Sequence, residues 1–178
     1  ILKKHQIDQV RKGVVNFHHS FNLKYKGRHS ATWAIRNNEK IHGSTMHFID
    51  DKVDEGRIID SQSFLIKPND TAEYVFKKAN LIGLEMLSKN FEKLISEKAI
   101  PTRLIDINQK SYKYRKRDLR HKINFLKLAD EQKIYKEIRA LAFDNKPAPY
   151  IVVQDKKIYL KLEEYDDGVL RKNNGKEQ

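Results

Sequence analysis

The residues best suited to chemistry in this sequence are two polar side chains at the end of a short apolar strand. The run 13–18 is apolar until Asn16 and His18. Side chains alternate across a strand, so these two share one face, and the carboxyl ends of strands in α/β sheets bind ligands. Asp54 adds a carboxylate in an Asp-Glu-Gly turn after a later strand. The three groups could stabilise an oxyanion and move a proton, which is acyl-transfer chemistry.

The composition limits the class of protein. A chain of 178 residues has room for one domain, or for one domain with a small appendage. No apolar run approaches the roughly 18 residues of a membrane-spanning helix. The absence of cysteine excludes disulfides, a thiol nucleophile and a cysteine-ligated zinc site. We expect a cytoplasmic protein.

The net charge of +12 indicates a polyanionic partner. Nucleic acid, an anionic membrane surface and phosphorylated small molecules all meet that description. A lysine-rich composition inherited from the host proteome explains the charge equally well. Charge therefore does not choose the partner.

The hydrophobic pattern predicts the elements that position these groups. Strands are expected at 13–18, 43–49 and 57–66, a charged helix-like segment at 3–12, and a loop at 20–30. Helices are expected at 31–37, 70–97 and 130–143, the second of them opened by a capping box of Asp70 with Glu73. Strands 150–153 and 157–162 form a hairpin around Gln154-Asp155-Lys156, and the tail after Glu164 is expected to fray.

Five stretches, in order and at matching spacing, resemble the folate-dependent formyltransferase family, most of all the sugar N-formyltransferases. They are VVNFHHS (14–20), YKG (25–27), WAI (33–35), GSTMHFI (43–49) and VDEGRII (53–59). The resemblance covers residues 10–95. It implies an α/β fold that is the C-terminal part of a Rossmann-like sheet with flanking helices, followed by a helix and a short β-hairpin. The expected division is a catalytic domain at 1–105, incomplete at its N-terminus, and a C-terminal extension at 106–178.

By this resemblance Asn16, His18 and Asp54 are the catalytic residues. The formyl donor would be N10-formyltetrahydrofolate, and attack by a primary amine on its formyl carbon gives a tetrahedral intermediate. Asn16 and a protonated His18 would donate to the negative oxygen; losing one such donor costs roughly 3–4 kcal/mol. Asp54 would favour the protonated form of His18 and take the proton from the amine.

The resemblance also implies the groups around this site. The segment Asp50, Asp51, Lys52 and Val53 matches the loop that wraps the pterin by backbone contacts, although a solvated acidic turn explains it nearly as well. Thr45 and His47 would support the catalytic carboxylate. A metal site of His18, His47 and Asp54 is formally available, but the family uses no metal.

The C-terminal part bears on the amine that is formylated. Residues 134–141, two prolines and the hairpin resemble the segment after the catalytic domain in methionyl-tRNA and sugar formyltransferases, and the short hairpin is more typical of the latter. The predicted substrate is therefore a nucleotide-linked amino deoxysugar used in polysaccharide biosynthesis, with Lys26, Arg28, Trp33 and Arg139 as its binding residues. Methionyl-tRNA is the alternative substrate, glycinamide ribonucleotide comes third, and a homodimer is the default.

Two departures from the family stand beside this reading. Phe21-Asn22-Leu23 replaces a Leu-Pro, which loosens that loop. The family's first strands and helices do not precede the Asn-x-His strand, so we expect a fragment, or a truncated product that needs a partner piece, with exposed sheet edge and apolar surface.

The basic run 108–121, with its interleaved tyrosines, keeps a different class open. Lysines and arginines there could contact phosphates while tyrosines stack on bases, as in a nucleic-acid-binding module. A catalytically inactive remnant is a third reading.

Overall fold

The computed structural model describes residues 2–96, 100–106, 108–124, 128 and 130–163, so the tail predicted to fray lies outside the described residues. The helices are α1 (Lys4–Ile7), α2 (Ser30–Arg36), α3 (Ala72–Ile95) and α4 (Glu131–Leu141). The strands are β1 (Val15–His18), β2 (Tyr25–Gly27), β3 (Ile41–Phe48), β4 (Ile58–Leu65), β5 (Tyr112–Tyr114), β6 (Tyr150–Val153) and β7 (Lys156–Tyr159). The predicted α/β class is confirmed, although the helix-like segment 3–12 is helical only over α1.

The main sheet is built around β3. It has three antiparallel strands in the order β1-β3-β4, and residues 42–47 of β3 are all buried. The predicted strands 13–18, 43–49 and 57–66 are confirmed, with ends that differ by one or two residues. The register places Asn16 opposite His47 and His18 opposite Thr45, which sets up the candidate site.

Helix α3 packs against this sheet. Val75, Ala79 and Met86 are fully buried, and a Cβ at Gly83 would lie 3.6 Å from the Phe17 ring. The predicted helix 70–97 is therefore confirmed over most of its length.

The start of α3 differs from the prediction. Thr71 is the N-cap, because its hydroxyl accepts from the Tyr74 amide at 3.2 Å. The predicted capping box of Asp70 with Glu73 is wrong. The Asp70 carboxylate instead accepts from the amide of Lys67 at 2.7 Å, in the turn before the helix.

The segment predicted as a loop at 20–30 is more ordered than expected. It contains a 3₁₀ turn (Phe21–Leu23) and β2, which pairs in parallel with β5. Tyr25 anchors this segment: its side chain is buried, its amide donates to Ser20 Oγ at 2.8 Å, and its hydroxyl donates to Glu39 at 2.8 Å. The strand that pairs with β2 is β5, which lies far along the chain, so the local sequence could not reveal this pairing.

The C-terminal elements pack on the first half of the chain. Helix α4 contacts α2, where the guanidinium of Arg36 lies 2.8 Å from Glu137. Strands β6 and β7 form the predicted hairpin, but Lys156 already pairs with Val153. The turn is therefore two residues long, with Gln154 and Asp155 at φ 46° and 61°, and the predicted three-residue turn is wrong.

Part of the apolar surface of α3 is exposed. Four large side chains of α3 are more than half exposed: Leu81, Leu84, Phe91 and Ile95. Among the residues that the structure describes, no helix combines the length and apolar character needed to cross a membrane.

Candidate active site

The β1–β3 pairing and the turn after β3 bring the three predicted catalytic residues together. Asn16 and His18 lie on β1, and Asp54 reaches them from the turn that follows β3. Asp54 Oδ2 lies 3.5 Å from His18 Nδ1, and its Oδ1 lies 3.9 Å from His47 Nε2. His47 thus lies between Asp54 and Asn16.

Both ring nitrogens of His18 face oxygen atoms. Nε2 lies 2.5 Å from the Tyr25 carbonyl, which can only accept, so Nε2 carries a proton. Nδ1 faces the Asp54 carboxylate. A ring with a proton on each nitrogen satisfies both neighbours. Because the side chains of His18 and Asp54 are only 11% and 10% exposed, solvent screens this pair weakly.

The Asp-Glu-Gly turn fixes the carboxylate of Asp54. The backbone of Asp54 has φ 54°, a left-handed conformation that aspartate adopts more readily than most residues. Gly56 is buried against β3, where a Cβ would overlap the Phe48 carbonyl. The Asp54 carboxylate also accepts from the Gly27 amide at 2.7 Å. The left-handed backbone and the close approach to β3 therefore explain why Asp and Gly occupy positions 54 and 56 of the motif.

His47 orients the amide of Asn16. Its Nδ1 lies 2.7 Å from the Phe48 carbonyl and must donate to it. Burial lowers the pKa of His47 more than the charge of Asp54 raises it, so the ring is neutral and Nε2 accepts. Asn16 Nδ2 donates to that nitrogen at 3.2 Å. An amide nitrogen carries two N–H groups, so the second can donate to a developing oxyanion.

Thr45 is predicted as a supporting residue, and it is fully buried beneath the site. Its hydroxyl donates to the Ser20 carbonyl at 2.6 Å and lies 2.7 Å from Ser61 Oγ, which therefore donates to it. Thr45 thereby joins the segment after β1 to β4.

The predicted folate loop leads directly into Asp54. Asp50, Asp51 and Lys52 are exposed and Val53 is half-buried. The amide of Asp51 donates to the Asp50 carboxylate at 2.6 Å. The segment leaves β3 at the end that carries His47, so its exposed backbone borders the candidate site. Its role in folate binding stays a prediction.

Three of the predicted substrate-binding residues lie in or next to β2 and α2. Lys26 forms an ion pair with Glu55 at 3.3 Å, and the Trp33 ring stacks on Tyr114 at 3.9 Å. Arg28 is exposed. Lys26 and Trp33 therefore have partners within the protein, and Arg28 is the member of this group that presents its side chain to solvent.

The fourth, Arg139, lies on α4 and makes a different contact. Its Nη1 donates to the Asp70 carbonyl at 2.6 Å, at the start of α3. Burial lowers the pKa of this guanidinium. Within the described residues, this hydrogen bond directs Arg139 to the start of α3 and not to Asn16, His18 or Asp54.

Sequence reasoning missed the contribution of β2 to the site. The carbonyl of Tyr25 holds His18, and the amide of Gly27 holds Asp54. Glu55, next to Asp54, lies near Lys26 and also 3.9 Å from Lys113. The Tyr-Lys-Gly motif matches the family, but it does not reveal these contacts, because main-chain hydrogen bonds depend little on residue type.

The tyrosines of the basic run are used inside the protein. Tyr112 stacks on Tyr25 at 5.1 Å between ring centroids, and Tyr114 stacks on Trp33. Rings already covered by other rings are poor platforms for nucleobases. This argues against the nucleic-acid-binding reading.

Within the described part of the chain, no group of three or more His, Asp or Glu side chains could hold a metal ion.

The fold and the arrangement of Asn16, His18 and Asp54 agree with one family of group-transfer proteins. The chain belongs to the formyl transferase family, whose profile, described as Formyl transferase, matches residues 1–90. The resemblance seen in the sequence is thereby confirmed.

Similar proteins differ in their acceptors. Methionyl-tRNA formyltransferase of Clostridium tetani is 34% identical over 106 residues, which are 60% of this chain and 34% of that protein. The structure of WlaRD, a sugar 3N-formyl transferase in the presence of dTDP and 5-N-formyl-THF, has a TM-score of 0.70 and 32% identity over 82% of this chain and 52% of that one. A 4-N formyltransferase from Francisella tularensis shares the fold, with a TM-score of 0.81 and 18% identity over 93% of this chain and 67% of that one. The matched part spans about a third to a half of the length of the methionyl-tRNA formyltransferases that the chain resembles.

Proposed function

We propose that this protein transfers a formyl group from N10-formyltetrahydrofolate to the primary amine of a nucleotide-linked amino deoxysugar. The observation that carries the proposal is the His18–Asp54 pair, 3.5 Å apart and almost buried, beside an amide of Asn16 that His47 orients. Family membership and the likeness to a sugar 3N-formyl transferase support it.

Each residue has a role in the proposed reaction. The amine nitrogen forms a bond to the formyl carbon, and the formyl oxygen becomes negative. Asn16 donates its second N–H to that oxygen. His18 Nε2 is bound to the Tyr25 carbonyl. Nδ1, which faces Asp54, is therefore the ring nitrogen of His18 that can donate or exchange a proton during the reaction. Asp54 accepts the proton of the amine, the bond from carbon to N10 breaks, and the proton passes to N10.

The formyl donor would bind along the segment 50–53. Most of this segment is exposed, and it joins β3 to Asp54, so a ligand on it would lie beside the carboxylate. Its main-chain groups could contact a pterin without help from particular side chains. The donor supplies an activated formyl carbon, and the chain supplies the oxyanion donor and the proton acceptor.

A second acceptor is favoured by a separate observation. The similar curated relatives include methionyl-tRNA formyltransferases, and the chain has a net charge of +12. Formylation of methionyl-tRNA is therefore the alternative function. The stacking of Tyr112 on Tyr25 and of Tyr114 on Trp33 weakens it, because these rings already have partners within the protein. The predicted homodimer and cytoplasmic location stay predictions.

The test compares two acceptors with one donor. The protein is incubated with N10-formyltetrahydrofolate and either a dTDP-linked 3-amino or 4-amino deoxysugar or methionyl initiator tRNA, and products are detected by mass spectrometry. We expect formylated sugar nucleotide, with the rate lost in His18→Ala. His5→Ala is the matched control, because His5 is exposed on α1.

Formylation of the tRNA alone would establish the alternative function. Formylation of neither acceptor by a folded protein would refute the proposed activity. Equal losses in the two alanine variants would show that His18 has no special role.

A further inference from the structure

We propose that β5, acting through Tyr114, is a positioning element of the active site. By pairing with β2 it fixes the two main-chain groups that hold His18 and Asp54. The kinetic consequence rests on the proposed function, whereas the structural consequence can be measured without it.

Strand β2 holds both members of the acid–base pair with its main chain. The Tyr25 carbonyl accepts from His18 Nε2 at 2.5 Å, and the Gly27 amide donates to Asp54 Oδ2 at 2.7 Å. The two groups lie two residues apart on one strand. A shift of β2 would therefore move His18 and Asp54 relative to each other.

Strand β2 is too short to hold its own position. It has three residues, and its recorded strand partner is β5. The Tyr112 amide donates to the Lys24 carbonyl at 2.8 Å, and the Arg28 amide donates to the Tyr114 carbonyl at 3.1 Å. Gly27, with φ 85°, lies so close to the Tyr114 carbonyl that a Cβ would overlap it. The two backbones are thus in direct contact at the residue that binds Asp54.

Aromatic stacking fixes β5 to a helix. The rings of Tyr114 and Trp33 lie 3.9 Å apart and are nearly parallel, at 6°. Trp33 is part of α2, while Tyr112 stacks on the buried Tyr25 of β2. Such pairs contribute beyond the area they bury. Tyr114 therefore couples the position of β5 to α2.

Charged groups add a second link to the same turn. Lys26 of β2 and Lys113 of β5 are register partners, and both approach Glu55, at 3.3 and 3.9 Å. Glu55 adjoins Asp54 in the chain. The exposed Lys113 contributes little by itself, but both contacts restrain the turn that carries the carboxylate.

Removing the Tyr114 ring should loosen β2 without removing any group from the reaction. A misplacement of about 1 Å in a catalytic geometry can cost roughly 100-fold in rate. The substitution leaves every residue of the segment 50–53 unchanged, so binding of the formyl donor should change little. The expected signature is a lower kcat with an unchanged KM for the donor.

The experiment uses Tyr114→Leu, with Tyr114→Phe to restore the ring. Tyr159→Leu is the matched control, because Tyr159 is 58% exposed on the C-terminal hairpin. Hydrogen exchange of the Gly27 amide, measured by NMR, should be at least about tenfold faster in Tyr114→Leu, and within about threefold of the parent in the other two variants. The Met46 amide of β3 reports on the whole sheet. We expect kcat to fall about 10- to 100-fold in Tyr114→Leu alone.

An unchanged Gly27 exchange rate in Tyr114→Leu would overturn the proposal, as would equal acceleration at Gly27 and Met46. If Tyr114→Leu does not fold, Trp33→Leu removes the other ring of the stack and must accelerate Gly27 in the same selective way. Absence of formyl transfer in the parent protein, with selective acceleration at Gly27, would refute the proposed function and leave the positioning role intact.

Discussion

Replacing Asp54 with asparagine should separate the charge of this residue from its structural contacts. Asparagine tolerates the left-handed backbone at φ 54°, and its amide oxygen can still accept from the Gly27 amide. The substitution therefore keeps the turn and removes the negative charge. Asp54→Ala removes the charge, the hydrogen-bond acceptor and the tolerance for this backbone conformation together.

The structure gives the size of the expected effects. At an effective dielectric constant of about 20, opposite charges 3.5 Å apart interact by roughly 5 kcal/mol, which is comparable with the roughly 3–5 kcal/mol that corresponds to a rate loss of about 10²- to 10⁴-fold. We therefore expect kcat to fall within that range in both variants. Both variants lose the charge of Asp54, and beyond that shared loss Asp54→Ala should lose about 1–3 kcal/mol for the unpaired Gly27 amide and about 1–2 kcal/mol for the backbone, which Asp54→Asn keeps.

Two measurements test this reasoning. Initial rates of formyl transfer give kcat, and urea unfolding gives the free energy of unfolding of the parent and both variants. If Asp54→Asn keeps more than about a tenth of the parent kcat, Asp54 is not the proton acceptor. If the two variants are equally stable, the Gly27 contact and the left-handed backbone do not stabilise the turn.

Two further substitutions test a buried histidine and the N-cap of α3. Burial lowers the pKa of His42 from 6.5 to about 3, so its neutral state contributes full stability above pH 6.5 and loses it progressively as the pH falls towards 3. Between pH 7.5 and pH 5, His42→Phe should therefore gain roughly 2 kcal/mol of unfolding free energy relative to the parent; an unchanged difference would show that His42 protonates in the folded state. Thr71→Ala should lose about 1 kcal/mol in urea unfolding, because the Tyr74 amide loses its cap, and no loss would contradict Thr71 as the N-cap.

Local information was enough for much of the site. Alternation along β1 put Asn16 and His18 on one face, and that pattern needs only a strand. The Asp-Glu-Gly turn was recognisable because its residue types match its backbone: Asp54 is left-handed and Gly56 has no room for a Cβ. The strands of the main sheet and α3 were predictable because their hydrophobic residues recur at the spacing of a strand or a helix. The error at the start of α3 arose because two neighbouring residues, Asp70 and Thr71, can both cap a helix.

The sequence by itself thus determined which side chains we propose for the chemistry. Only the tertiary structure decided what holds them. The contact of His47 with Asn16 depends on the register of two strands, and the main chain of β2 reaches His18 and Asp54 because β5, far along the chain, pairs with it. Main-chain hydrogen bonds and parallel strand pairing are almost independent of residue type, so no motif records them.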